Sequence, residues 1–349
     1  MKSDRLQVGV IGLGHGRHHA RVCATLPDVQ LKALSDASPE RLADVAAELD
    51  VQETYEDGAA LIERADLDAV FIALPTHLHA EFTLRALRKG LHVLVQKPIA
   101  AKVQDAEAML RASREAGKVL MVGFNQRFAP HHQAARQSIK DGHLGTIHYA
   151  KTSWLRRKLV PWWYETGGKG ALSTDIAGGG PLMDLGVHRL DLALYLMGFP
   201  EVASIDGATF HGLAKEEGRK RGIDYALEDA GVALVRFRNN GVLLLEASWQ
   251  MHCKDPDKQE TIFYGERGGM HLSEIVEVYT ESDGIQTNTQ LLADNDDNTP
   301  EGGLTGHFCR VVRQEEEPII TGEEALLGLR IIQAIYESAK TGKTVYFAP

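Results

Sequence analysis

Leu6-Gln7-Val8-Gly9-Val10-Ile11-Gly12-Leu13-Gly14-His15-Gly16-Arg17 is the stretch that decides the fold. An apolar run of strand length turns through glycines into a helical pattern at 17–26. Gly12 permits the tight turn, and Gly14 lets the backbone approach a pyrophosphate. The helix N-terminus then offers N–H groups to an anion. A G-x-G-x-x-G pattern would place glycine at 17, where Arg17 stands; Gly16 is expected to do that work one position early.

The same rhythm continues outward. Val29–Ser35, Leu67–Leu74, Leu91–Val95 and Val119–Val122 read as further strands, with helical patterns at 39–49, 57–65, 77–89 and 103–116. Strands alternating with helices at this spacing mean βαβ units and a parallel sheet. Continuous apolar runs such as Ala69–Leu74 suit strands buried on both faces. The second run ends at Asp36, 22 residues beyond Gly14. A carboxylate there suits an adenosine ribose diol and repels a 2′-phosphate, so NAD is expected over NADP, with NADP still admitted. The competing reading makes Asp36 a cap for the helix that begins at Ser38 or Pro39.

Beyond residue 125 the period changes. A helix over 130–140 precedes segments of period two: Thr146–Leu155, Val202–Phe210, Ala230–Phe237, Val242–Trp249, Glu260–Tyr264 and Ile275–Thr280. Asn239-Asn240-Gly241 predicts a type I′ hairpin turn. Helices over 304–314 and 323–340 close the pattern, after a loop at 293–303. The fold class expected is α/β: an N-terminal Rossmann doubly wound parallel sheet, residues 1–124, then an α+β domain, residues 125–349, with a large, mostly antiparallel open sheet.

The 349 residues suit two domains, and a net charge of −10 argues against nucleic-acid or anionic-membrane partners. Three scattered cysteines (Cys23, Cys253, Cys309) make neither a disulfide framework nor a metal cluster. With no signal-like apolar leader and no run long enough to span a bilayer, a reducing cytoplasm is the expected location.

The chemistry gathers at strand ends. The fourth strand ends in Leu74-Pro75-Thr76-His77-Leu78-His79 and the fifth in Gln96-Lys97-Pro98. Ligands bind at the carboxyl edge of parallel strands, so Lys97 is expected to face the cofactor cleft. Farther on, Gly178-Gly179-Gly180-Pro181-Leu182-Met183-Asp184-Leu185-Gly186-Val187-His188-Arg189-Leu190-Asp191 opens a helix at Pro181. Asp184 and His188 are then i and i+4 on one face. A carboxylate beside an imidazole makes His188 a candidate proton acceptor near neutral pH; a buried structural pair is the alternative. Asp191 is a candidate supporting partner.

These four features, in order, resemble the Gfo/Idh/MocA oxidoreductases, which include inositol dehydrogenases and glucose–fructose oxidoreductases. The resemblance covers essentially the whole chain, and it implies that the second domain, 125–349, binds substrate and that its open sheet mediates oligomers. It implies Lys97, Asp184 and His188 as the catalytic set. It implies cofactor contacts from Gly12, Gly14, His15, Gly16, Arg17, Asp36, Leu74, Pro75, Thr76, His79, Gln96, Lys97 and Gln126. Substrate contacts are expected from Lys97, Arg127, Trp163, Asp184 and His188. One departure stands out: the family usually has Glu-Lys-Pro where this chain has Gln96-Lys97-Pro98, and glutamine keeps the size but loses the charge.

The activity implied is hydride transfer between NAD(P) and a secondary hydroxyl of a sugar, sugar acid or inositol, in a homodimer or homotetramer. Alternatives are an NAD-dependent glycoside hydrolase of the same fold and a non-catalytic NAD(P)-binding regulator. His307 is a further candidate for the cleft. Among 15 histidines, His77 and His79 alone resemble a metal pair, but they start a helix after a cofactor strand, and no metal is expected.

Overall fold

The computed structural model describes residues 5–157, 177–220, 225–273, 275–282, 284–291 and 302–348. The chain clusters into two compact units. One runs up to Asn125 and takes in the stretch ending at Leu326; the other runs from Gln126 and resumes at Leu327.

The first unit holds strands β1 (Leu6–Ile11), β2 (Val29–Ser35), β3 (Glu53–Tyr55), β4 (Ala69–Ile72), β5 (His92–Val95) and β6 (Leu120–Val122). They pair in parallel in the order β3-β2-β1-β4-β5-β6. The order reverses between β1 and β4, the switch point where such sheets bind ligands at their carboxyl ends. Every residue of β4 is buried, because helices cover both faces. A fully buried Phe71 contributes about 2–3 kcal/mol of burial energy.

Helices α1 (Gly16–Thr25), α2 (Pro39–Leu49), α3 (Gly58–Arg64), α4 (His79–Arg88) and α5 (Val103–Ala116) connect these strands. Local chemistry sets their ends. Ser38 caps α2 by accepting from the Arg41 N–H at 3.3 Å, and Pro39 takes the first turn.

The second unit contains α6 (Pro130–Lys140), α7 (Val187–Met197) and the short α8 (Lys215–Lys220). Its strands are β7 (Ile147–Arg156), β8 (Val202–Phe210), β9 (Ala230–Phe237), β10 (Val242–Ser248), β11 (Asp257–Gly265), β12 (Gly268–Leu272), β13 (Val276–Ser282), β14 (Ile285–Leu291) and β15 (Val345–Tyr346). They form a nine-stranded sheet, β14-β13-β12-β11-β7-β10-β9-β8-β15. Every pairing is antiparallel except β7 with β10. Burial alternates along β10, as a sheet with one covered face requires.

Three differences from the sequence expectation have physical reasons. The helix α9 (Gly303–Val312), expected in the second domain, clusters with the first unit. Phe308 packs edge-on against Phe71 of β4 at 5.2 Å, and Thr305 bonds His19 of α1. The division of the chain therefore falls inside α10 (Gly322–Thr341) as well as near residue 125. Second, the β9–β10 hairpin is present, but its loop holds three residues, Arg238-Asn239-Asn240, and only Asn240 has positive φ (65°). Asn240 N–H donates to Phe237 O at 3.1 Å, and Phe237 N–H to Gly241 O at 2.9 Å. This is a turn closed by a left-handed residue rather than type I′. Third, β3, β12, β14 and β15 were not expected. β3 and β15 are too short to show a period, and β14 is exposed along six of its seven residues, so no apolar alternation marks it. The loop expected at 293–303 lies, up to residue 301, outside the described residues.

Candidate active site

In the first unit the glycine turn is shaped by contact. Gly12 has φ +86°, and a Cβ there would meet Ala73 O at 2.4 Å. That approach brings the carboxyl ends of β1 and β4 together and excludes any side chain. A Cβ on Gly16 would lie 2.9 Å from Val10 Cγ1, so Gly16 permits the close helix–strand packing. Gly14 is open on that side, with only an Arg41 guanidinium nitrogen at 3.9 Å. His15, the exposed N-cap of α1, makes no side-chain cap. The Arg17 guanidinium turns to α2, where it pairs with Glu48 together with Arg21.

Asp36 is 8% exposed and braces this turn. Its Oδ2 accepts the Leu13 N–H at 2.7 Å and meets Arg41 Nε at 3.2 Å; its Oδ1 accepts the Ser38 N–H at 2.8 Å. The cap of α2 is Ser38 itself, so the alternative role for Asp36 is replaced by a tie between the glycine loop and the entry to α2.

At the next strand ends, Pro75 is exposed while Leu74, Thr76, Gln96 and Lys97 are half-buried. His79, expected to touch the cofactor, is 1% exposed, with its ring turned to the backbone. Its Nδ1 lies 2.8 Å from Pro98 O and its Nε2 2.8 Å from Leu74 O. The ring thus bridges the segments that follow β4 and β5. Burial holds its pKa below the usual imidazole value, against the pull of the two carbonyls. Among the described residues no three His, Cys, Asp or Glu gather as metal ligands.

In the second unit, a π-turn over Leu182–Gly186 leads into α7. The sequence had read one uninterrupted α-helix from Pro181; a single π-turn sits instead at Asp184, a placement frequent at functional sites. From Gly179 to Leu194 every residue is buried except Asp184 and His188, which are part exposed. The Trp249 indole, fully buried, donates to Asp184 Oδ2 at 2.9 Å. The His188 ring lies 5.8 Å from the Trp154 ring.

The glycines before this turn have a cause that local reading missed. A Cβ on Gly179 would sit 2.1 Å from the Tyr336 hydroxyl oxygen, and one on Gly180 2.8 Å from the Glu228 carboxyl carbon. Glu228 accepts from the Gly180 N–H at 2.9 Å and the Leu182 N–H at 3.3 Å, and the Tyr336 hydroxyl donates to it at 2.6 Å. A buried carboxylate therefore satisfies the helix N-terminus from below. Burial pushes its pKa up, and the phenol and the two N–H groups oppose the rise. Nothing adjacent in sequence marks Glu228 or Tyr336; only the close neighbours that two successive glycines, Gly179 and Gly180, admit hint at them.

Arg127, expected to touch substrate, is fully buried. Its Nε and one terminal nitrogen meet Asp191 at 2.9 and 2.6 Å, and the rings of Tyr195 and Phe199 lie 4.8 and 5.1 Å from its guanidinium. It forms a core ion pair with Asp191. The Gln126 side chain accepts from Arg189 at 3.3 Å. His307 is also turned inward: its Nε2 accepts the Ile319 N–H at 3.0 Å and its Nδ1 meets Glu316, latching the turn after α9. Trp163 and its neighbours Trp162 and Tyr164 lie outside the described residues.

A sequence model for the NAD-binding Rossmann fold of the oxidoreductase family GFO_IDH_MocA matches residues 6–124, and one for the GFO/IDH/MocA C-terminal domain matches residues 132–271. D-glucoside 3-dehydrogenase of Escherichia coli (strain K12) is 30% identical over 99% of this chain and 98% of its own. The chain belongs to the Gfo/Idh/MocA family. A second family relative, myo-inositol 2-dehydrogenase of Thermotoga maritima, is 27% identical over 97% of this chain and 98% of its own. Among solved structures, levoglucosan dehydrogenase in complex with NADH and levoglucosan superposes with a TM-score of 0.83 at 23% identity, covering 99% of this chain and 100% of its own. The aldose-aldose oxidoreductase from Caulobacter crescentus, complexed with glycerol, reaches 0.81 at 26% identity, covering 98% and 100%.

Proposed function

We propose that this family member is an NAD(P)-dependent dehydrogenase that oxidises, or in reverse forms, a secondary hydroxyl of a sugar, sugar acid or inositol. One observation carries the reading: in the buried run from Gly179 to Leu194, only Asp184 and His188 reach a surface, one helical turn apart. A carboxylate and an imidazole at the two part-exposed positions of an otherwise buried run are placed to handle a proton.

The first unit fits a dinucleotide. Gly12 and Gly16 close the turn, Gly14 leaves its face open, and α1 begins there without a side-chain cap. Asp36 lies at the ribose position, its charge favouring NAD over NADP. Leu74, Pro75, Thr76 and Gln96 line the strand ends that would hold the nicotinamide half. When bound, the nicotinamide exchanges a hydride with the carbinol carbon. The chain supplies the rest. His188 takes the hydroxyl proton. Asp184, held by Trp249, orients His188 and binds a substrate hydroxyl. Lys97 hydrogen-bonds the reacting oxygen and stabilises the charge that develops on it.

No helix among the described residues is long and apolar enough to cross a membrane. That and the acidic net charge support a cytoplasmic enzyme that binds neither membrane nor nucleic acid. Exposed Tyr264 on β11, Tyr279 on β13 and Ile285 on β14 of the large sheet support a homodimer or homotetramer.

The test is NADH absorbance with purified protein, NAD or NADP, and a panel of inositols, aldoses and sugar acids. Turnover that disappears in Lys97→Met and in His188→Ala, with NADH still bound, is the expected result. Full turnover in both variants overturns the reading.

A further inference from the structure

Gln96 stands immediately before Lys97, and its side chain is engaged. Its Nε2 lies 2.8 Å from His19 Nε2 on α1, and His19 Nδ1 lies 2.7 Å from Thr305 Oγ1 on α9. His19 is 3% exposed and stacks on Phe71 at 5.3 Å. All of these groups belong to the first unit.

The donors decide the arrangement. Two nitrogens facing each other need one proton between them. An amide nitrogen has only protons to give, so His19 Nε2 accepts. The imidazole proton then sits on Nδ1 and goes to Thr305 Oγ1. The amide oxygen is placed on the opposite side: a Cβ on Gly123 would lie 2.6 Å from Gln96 Oε1, so the glycine gives the amide its seat. Burial, with His18 and His15 of the same helix, pushes the His19 pKa down to about 3, so the ring is neutral at any working pH. Around it, β4 presents Phe71, the end of β5 presents Gln96, and α9 presents Thr305; none of these ionises.

We propose that Gln96, His19 and Thr305 form an uncharged positioning relay, which ties α9 through α1 to the segment bearing Lys97 and locks His19 as its Nδ1–H tautomer. A glutamate at 96 would not serve this relay. Carboxylate oxygens only accept, so His19 would have to switch to the Nε2–H tautomer, with the Thr305 hydroxyl turned to donate to Nδ1, or take up a second proton that the carboxylate would stabilise against burial. Glutamine thus removes an ionisation next to the lysine, and the geometry around Lys97 is made independent of pH.

The inference rests on the role given to Lys97 above, and its test separates the two. Nitrogen-15 NMR of histidine-labelled protein, with His19→Gln to assign the signal, reads the tautomer without any turnover. A neutral Nδ1–H signal for His19 from about pH 5 to about pH 8 is expected. In Gln96→Glu the same ring should become titratable, with the second proton appearing within that range, and the pH profile of kcat should gain a step that the native protein lacks. Thr305→Val should lower kcat about tenfold while changing KM less than about twofold, and Thr305→Ser should restore it. An Nε2–H tautomer in the native protein, or a Gln96→Glu variant whose His19 signal and pH profile both match the native ones, overturns the relay. Absence of turnover alongside the expected His19 signal overturns only the dehydrogenase reading.

Discussion

Arg127 and Asp191 face each other through two hydrogen bonds, 2.9 and 2.6 Å, inside the core of the second unit. Arg127 is wholly buried and Asp191 is 4% exposed, so neither charge has water to fall back on. Removing one partner strands the other. Arg127→Ala and Asp191→Ala should each cost about 3–5 kcal/mol of unfolding free energy, read by urea denaturation. A loss below about 1 kcal/mol would mean that the pair is not buried as described.

Acid should weaken the fold through buried imidazoles. Burial pushes His19 and His132 each down to about 3. In the unfolded chain both titrate near 6.5, so on acidification the unfolded state takes up the protons first. Their contribution is therefore fully present above about pH 6.5 and declines as pH falls from there towards about 3. Each group adds a slope of about 1.4 kcal/mol per pH unit. Urea titrations from about pH 7 to about pH 5 should show this decline, and His132→Gln should shallow it by one proton. A curve that stays flat over that interval is incompatible with two neutral buried rings.

Glu228 should matter to activity without touching substrate. Glu228→Ala leaves the Gly180 and Leu182 N–H groups and the Tyr336 hydroxyl facing a void. A stability loss of about 2–4 kcal/mol is expected, with Glu228→Gln milder because its carbonyl still accepts. Below the unfolding transition, kcat should fall more than KM rises, since the π-turn carrying Asp184 loses its support. Equal effects on both parameters would show that the turn holds its shape alone.

Cofactor choice should respond to Asp36. Its carboxylate joins the glycine loop to Arg41. Asp36→Ala removes the charge that opposes a 2′-phosphate and leaves Arg41 without that anion. The NADP-to-NAD ratio of kcat/KM should rise about tenfold or more. An unchanged ratio would assign Asp36 a bracing role only.

Much of the first sheet was legible because its strands are continuous apolar runs: Leu6–Ile11 and Val29–Ser35 appear as read. Lys97, Asp184 and His188 were singled out by spacing, since each follows a strand end or repeats at a helical turn, and their catalytic roles belong to the proposal above. Arg127, His79 and His307 prove to be buried, and the sequence did not show it. A polar side chain near a strand end looks functional until its buried partner is known, and those partners are set by tertiary packing. The Arg127–Asp191 pair spans 64 residues, and the Tyr336–Glu228 bond spans 108. No periodicity carries information over such separations. The edge strand β14 was hidden differently: six of its seven residues are exposed, so its sequence carries no core imprint.

The Gly179-Gly180 pair is in effect a cast of residues far along the chain. The Tyr336 ring and the Glu228 carboxyl occupy the volume where β-carbons of Gly179 and Gly180 would stand. Evolution is thereby constrained to move these positions together: a lineage can acquire alanine at 179 only after the phenol at 336 has shrunk or withdrawn. Paired changes at 179 with 336 are the historical trace this geometry should leave, while Gly180 stays fixed because the Glu228 backbone oxygen would lie 2.6 Å from its β-carbon.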